Sequence, residues 1–183
     1  MSKRQLSADD DKRTRTDLDL FILALVNEGV ATAYEMKVEA GLSPGATLPA
    51  ITRLHNLGYL SAGEVGARNR TQLTLSRSGR TFLKASWKTL LSGPVPSDLD
   101  SIVRIVVLGR MQGASSDAIR SFLKRASQDR DSKSEDRHKE AEDETATMWA
   151  GRYRRIRALL DARCLALEAK TLGRLMKELR IKR

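Results

Sequence analysis

Residues 42–60, LSPGATLPAITRLHNLGYL, constrain this chain more than any other stretch. Ser43 is a good N-cap residue, and Pro44 suits the first helical position, where its missing N–H would have no partner. Gly45 lets another backbone come close. Pro49 falls too early for a long straight helix, so a kink or a two-step start is expected. At about 100° per residue, Thr47, Ala50, Ile51, Leu54 and Leu57 share one face. Leu48, Pro49, Thr52, Arg53 and Asn56 share the other. One face fits a small core and the other fits a groove. Gly58 closes the helix, and Tyr59-Leu60 begins a strand.

The flanking segments extend this pattern. Thr16 or Asp17 can cap a helix that runs to about Glu28, apolar on most sides and therefore buried from more than one direction. Gly29 ends it, and a second helix is expected over about 32–40, ended by Gly41. In 71–75, Leu73 and Leu75 alternate with polar neighbours, as in a half-buried strand. Between the two strands lies 63–70, with two glycines and the basic tip Arg68-Asn69-Arg70, which reads as a β-hairpin. Ser78 and Gly79 precede a helix over about 80–91. The order helix, helix, helix, hairpin, helix predicts a winged helix-turn-helix over 17–92, a module that lays its third helix in the major groove.

Gly93-Pro-Val-Pro96 then interrupts the chain. Helices are expected over about 97–111 and 115–128, followed by a very polar stretch and a helix from about 140 onward. Trp149, Ile156, Leu160, Leu167 and Leu175 belong to an irregular apolar stripe there. The expected fold is mainly α with a small β-hairpin. A polar tail (1–16) precedes a DNA-binding domain (17–92) and a helical dimerisation domain (97–183).

Charge narrows the partners. The 183 residues carry a net charge of +10 and 40% hydrophobic residues. That is enough apolar content for a core, and the basicity favours polyanions, nucleic acid before a membrane surface. Residues 17–92 hold 8 basic and 6 acidic residues, whereas 93–183 hold 20 and 14. The segment expected to read DNA is not the most basic one, so the motif carries the case. Cys164 is the only cysteine, which rules out an intramolecular disulfide and fits a reducing cytoplasm. The start of the chain lacks the apolar core of a signal peptide, and the apolar runs 18–26 and 102–108 are too short for a bilayer. A cytoplasmic protein without a membrane partner is expected.

On the outward face of the third helix, Arg53 can fork onto guanine and Asn56 can pair with adenine, with Thr52 beside them. A surface salt bridge is the plain alternative for Arg53. Ser43, Gly45 and the first-turn N–H groups suit a phosphate. Arg68, Asn69 and Arg70 suit phosphates or a narrow minor groove, with a solvated loop as the alternative. His55 reads as a helix-surface residue. His55, His138 and Cys164 are far apart, and no metal-ligand spacing, phosphate loop or dinucleotide fingerprint is present. No enzyme activity, cofactor or metal is expected. Arg152, Arg154, Arg155 and Arg157 read as the outer face of a dimerisation helix, with a second nucleic-acid site as the alternative. Trp87 and Trp149 read as packing residues, or as contacts for a flat apolar effector.

These residues resemble the PadR family of bacterial transcriptional regulators. The run LFILALVNEG is similar to that family's first helix, and Tyr34-Glu35 to its Gly-Tyr-Glu. Ser43-Pro44-Gly45, Pro49-Ala50, Arg53-Leu54 and Leu57-Gly58 resemble its recognition-helix pattern, and Leu75 to Gly79 its Leu-Thr-x-x-Gly. The match covers about 17–90. Thr32-Ala33 stands in place of the family's His-Gly, Thr47 in place of an aliphatic residue, and Leu48 in place of a tyrosine at the DNA surface. The resemblance implies a DNA surface that includes Thr32, Tyr34, Pro44, Leu48 and Pro49. It also implies a homodimer on a palindromic operator, usually a repressor. Dimers would pair through the C-terminal helices with help from the first helix, here Leu18, Phe21, Ile22 and Leu25 with Trp149, Ile156, Leu160, Leu167 and Leu175. A protein-interaction adaptor on the same scaffold is the alternative.

Overall fold

The longest unbroken apolar run, LFILALV, sits at the centre of the structure's first unit. The computed structural model describes residues 17–66, 70–143 and 149–181. Among them are α1 (Asp17–Asn27), α2 (Ala33–Ala40), α3 (Pro44–Asn56), β1 (Leu60–Gly66), β2 (Arg70–Leu75), α4 (Arg77–Ser92), α5 (Leu99–Met111), α6 (Ser116–Asp143) and α7 (Trp149–Ile181). The fold is mainly helical, with one two-stranded antiparallel sheet. The chain divides into two units. One holds the residues up to Gly93 together with Val103–Gly113, and the other holds Pro94–Ile102 and the residues from Ala114. The break at Pro94 coincides with the Gly-Pro-Val-Pro interruption. Val103–Gly113 was expected with the C-terminal helices, and it packs with the first unit instead.

In that first unit, every residue of α1 from Asp19 to Val26 is buried. Met36, Ala50, Leu54, Leu60, Leu73, Leu83 and Leu108 close around it. Leu20, Ile22, Leu23 and Ala24 are fully enclosed. Each of the three larger side chains, Leu20, Ile22 and Leu23, contributes roughly 1.5–3 kcal/mol of transfer free energy. This enclosure corrects one expectation. Phe21, Ile22 and Leu25 are 6%, 0% and 7% exposed and Leu18 is half-buried, so α1 spends its apolar surface on its own core. It has little left to offer a second copy.

Local chemistry sets the boundaries. Thr32 Oγ1 accepts the Glu35 N–H, while Glu35 Oε2 accepts the N–H groups of Thr32 and Ala31, a capping box that starts α2. Gly41 closes α2 in the left-handed region at φ 66°, where a side chain is disfavoured. α4 begins three residues earlier than expected, because Ser76 Oγ accepts the Gly79 N–H. The strands reach further into the expected loop, with a bulge between Ala62 and Val65. Leu73 N–H also donates to Ala31 O at 2.7 Å, which ties β2 to the turn before α2.

In the second unit, α6 runs straight through the polar stretch that was expected to follow it. That stretch has no proline or glycine. Lys133 pairs with Asp129 and Arg137 with Glu140, on the same helix face. The adjoining face packs antiparallel on α7 through small residues: Ala126 and Ala141 on α6, Ala158, Ala162 and Ala169 on α7. Ser127 and Ser134 donate across the seam to Ala169 O and Ala162 O, at 3.2 and 2.9 Å. Arg130, fully buried, donates to Glu168 at 2.7 Å, to Asp129 at 2.8 Å and to Pro96 O at 3.1 Å.

Candidate nucleic-acid interface

α3 divides into the two faces that its spacing predicts. Thr47, Ala50 and Leu54 are buried, with Ile51 and Leu57 half-buried. Pro44, Gly45, Leu48, Pro49, Thr52, His55 and Asn56 are exposed. The helix is continuous through Pro49. Pro49 cannot donate to Gly45 O, and both residues are exposed, so water can serve that carbonyl in place of a kink.

The start of α3 differs from expectation in one respect. Ser43 occupies the N-cap position but makes no side-chain cap hydrogen bond. Its carbonyl accepts the N–H groups of Ala46 and Thr47 and the Thr47 hydroxyl. The Gly45 N–H has no acceptor among the described residues, and a Cβ on Gly45 would meet nothing within 4 Å. The first turn therefore presents a donor in open space at the positive end of the helix.

Arg53 makes the salt bridge that is the plain alternative to base reading. Its Nε donates to Asp19 Oδ2 at 3.2 Å, and its Nη2 forms a short ion pair with Asp19 Oδ1. Asp19 lies on α1 with its side chain 0% exposed, while that of Arg53 is 38% exposed. A bidentate pair of this kind fixes α3 on α1. Asp19 takes the Nε–Nη2 edge of the guanidinium, and Nη1 is not part of that pair. The remaining outward side chains are short or apolar. Thr52 Oγ1 donates to Leu48 O at 3.0 Å, so its proton is used and the exposed oxygen is left to accept. Asn56 keeps an exposed amide at the end of the helix.

Beside this face lies a cleft of about 520 Å3, lined by Thr32, Tyr34, Leu48, Ile51, His55 and Leu73 among others. Tyr34 and Leu48, expected at the DNA surface, are 53% and 54% exposed and stand on its walls. The link from Leu73 to Ala31 ties the sheet to the turn before α2, and Ala62, Thr71 and Leu73 of the sheet line the cleft. Arg68 and Asn69 lie outside the described residues, as does the side chain of Arg70.

On α7, Ile156, Leu160 and Leu167 are 58%, 54% and 65% exposed, and Tyr153 and Cys164 join them. At about 100° per residue these five fall on one stripe opposite the alanine seam. Leu175 is half-buried, and the Trp149 side chain lies outside the described residues. Trp87 packs half-buried on the first unit's core, with Lys88 Nζ 5.7 Å from its ring.

Among the described residues no group of three or more His, Cys, Asp or Glu could hold a metal ion, and no helix is long and apolar enough to cross a membrane. Sequence reasoning missed Asp19, which the apolar character of α1 disguised, and Arg130, whose partners are distant in sequence. No protein-family model matches the chain, and no curated protein matches it.

Proposed function

We propose that this protein is a sequence-specific DNA-binding transcriptional regulator of winged helix-turn-helix type, similar to the PadR family and acting as a homodimer on a palindromic operator. The observation that carries the reading is α3 itself. It has one face sealed into the core, one face in solvent, and a hairpin tied beside it through Leu73 and Ala31. In the proposed complex α3 lies in the major groove. The Gly45 N–H meets a phosphate, Leu48 touches a thymine methyl, Thr52 accepts from a base amino group, and Asn56 pairs with adenine. Arg53 positions α3 through Asp19 and leaves base reading to these neighbours. The hairpin tip at 68–70 meets the flanking backbone. The exposed stripe on α7 would pair two copies and set their α3 helices about 34–36 Å apart, in successive major grooves. Occupation of a promoter in this way blocks transcription, so repression is the proposed outcome, in the cytoplasm and without an enzymatic step.

The second reading is a protein-interaction adaptor. The apolar cleft with Tyr34 and Leu48 on its walls favours it. Salt separates the two. A regulator making 6–10 phosphate contacts loses about 10³–10⁵ in affinity for duplex DNA between 50 and 200 mM salt. An apolar protein interface holds its affinity over that range, and a protein that binds no duplex at 50 mM salt is not a DNA regulator.

A further inference from the structure

We infer that the exposed face of α4 is a second DNA-backbone surface, a track of four cations that grips duplex phosphates beyond the segment read by α3. The inference rests on the DNA reading of α3.

Arg77, Arg80, Lys84 and Lys88 follow one another at spacings of three, four and four. At about 100° per residue all four lie within one narrow stripe. Each is exposed, and the opposite side of the helix buries Gly79, Leu83 and Ser86. α4 contains no aspartate or glutamate. Half of the 8 basic residues in 17–92 are thus gathered on one face of one helix.

Nothing in the described residues neutralises them. Arg53, Arg104, Arg120, Arg130, Arg137 and Arg157 each pair with a carboxylate, and no such pair engages the four on α4. The arrangement runs against two local preferences. Like charges at i,i+4 repel by a few tenths of a kcal/mol, and arginines in the first turn oppose the helix dipole. Breaches of local preference collect at functional surfaces. A polyanion removes both costs.

The first turn of α4 lies against the chain just past the end of α3. Ser76 and Ser78 both donate to Gly58 O, at 2.7 and 2.8 Å, two residues past Asn56. A Cβ on Gly79 would stand 2.2 Å from Tyr59 O, so this junction is closely packed. The track therefore begins at the end of α3. From Arg77 to Lys88 it spans about 16 Å at 1.5 Å per residue, or about five base steps at 3.4 Å.

The test uses the full chain and a duplex of random sequence, titrated from 50 to 200 mM salt, with circular dichroism as the folding check. Converting all four residues to glutamine should flatten the slope of log affinity against log salt by about 0.9 for each phosphate lost, or about 2 to 4 in total. Lys84→Gln with Lys88→Gln, away from the packed first turn, should flatten it by about 1 to 2 even where the fourfold variant fails to fold. Lys124→Gln with Lys170→Gln removes equal charge elsewhere and should leave the slope as it was. An unchanged slope in the folded α4 variants overturns the inference, as does equal flattening in the control pair. Binding to phosphatidylserine vesicles that needs the four cations, with the DNA slope untouched, assigns the track to a membrane and also overturns it. If the unmodified chain binds no duplex at 50 mM salt, the DNA reading of α3 falls, and this inference with it.

Discussion

The two units solve the same problem, burying a long helix, in opposite ways. α1 is enclosed on every side by large aliphatic residues and keeps almost no surface. α7 packs on α6 through alanines and leaves Tyr153, Ile156, Leu160 and Leu167 in solvent. Each unit holds a charge pair with one fully buried partner, Asp19 with Arg53 and Arg130 with Glu168. In the first unit the fully buried partner is the acid, which has no route to water. In the second it is the arginine, and its acids stay near 30% exposed. The difference teaches where a partner is needed. α1 keeps no apolar face for a second copy, whereas α7 exposes an apolar stripe that, in the proposed dimer, a second copy covers.

The largest expected effect tests the first half of this contrast. Arg53→Ala strands the Asp19 carboxylate in the core and should cost about 3–5 kcal/mol, read as a lower denaturant midpoint in the absence of DNA. A midpoint equal to that of the unmodified chain would return Arg53 to the list of base readers. Gly79→Ala comes next. Its methyl would meet Tyr59 O, so the junction between α3 and α4 must shift, at about 1–3 kcal/mol. Arg130→Ala should cost less than Arg53→Ala, about 1–3 kcal/mol, because Asp129 and Glu168 reach water once released. A loss as large as that of Arg53→Ala would erase the distinction between the two pairs. The smallest folding effect is that of Leu160→Glu. An exposed site should lose about 0.5 kcal/mol or less, yet sedimentation should show a monomer at concentrations where the proposal expects the unmodified chain to dimerise. A dimer that survives Leu160→Glu would place the contact elsewhere.

Much of the first unit was legible because its signals are local. The periodicity of 47–57 gave both faces of α3, and the alternation of Leu73 and Leu75 gave a strand. Two signals were present but misread. The cationic stripe of α4 begins at Arg77, in a first turn set by the Ser76 cap, and a helix starting at Arg80 lacks its first member. The polar stretch after Gln128 looked like the end of a helix, although its charge pairs and its breaker-free composition support one. Other features could not be read at all. Asp19 and Arg53 are 34 residues apart, and Arg130 meets Glu168 across 38. Pairings at such separation are made by the fold and leave no periodic trace. The same holds for α1, where an apolar run states that a helix is buried but not whether its own chain or a partner buries it.

The central claim is that two copies of α3 read a symmetric duplex. Selection of bound sequences from random duplex DNA at about 0.15 M salt tests it most directly. The account predicts an enriched inverted repeat whose half-sites lie about 34–36 Å apart, one helical turn. A folded protein that enriches no sequence would contradict it and favour the adaptor reading of the Tyr34–Leu48 cleft.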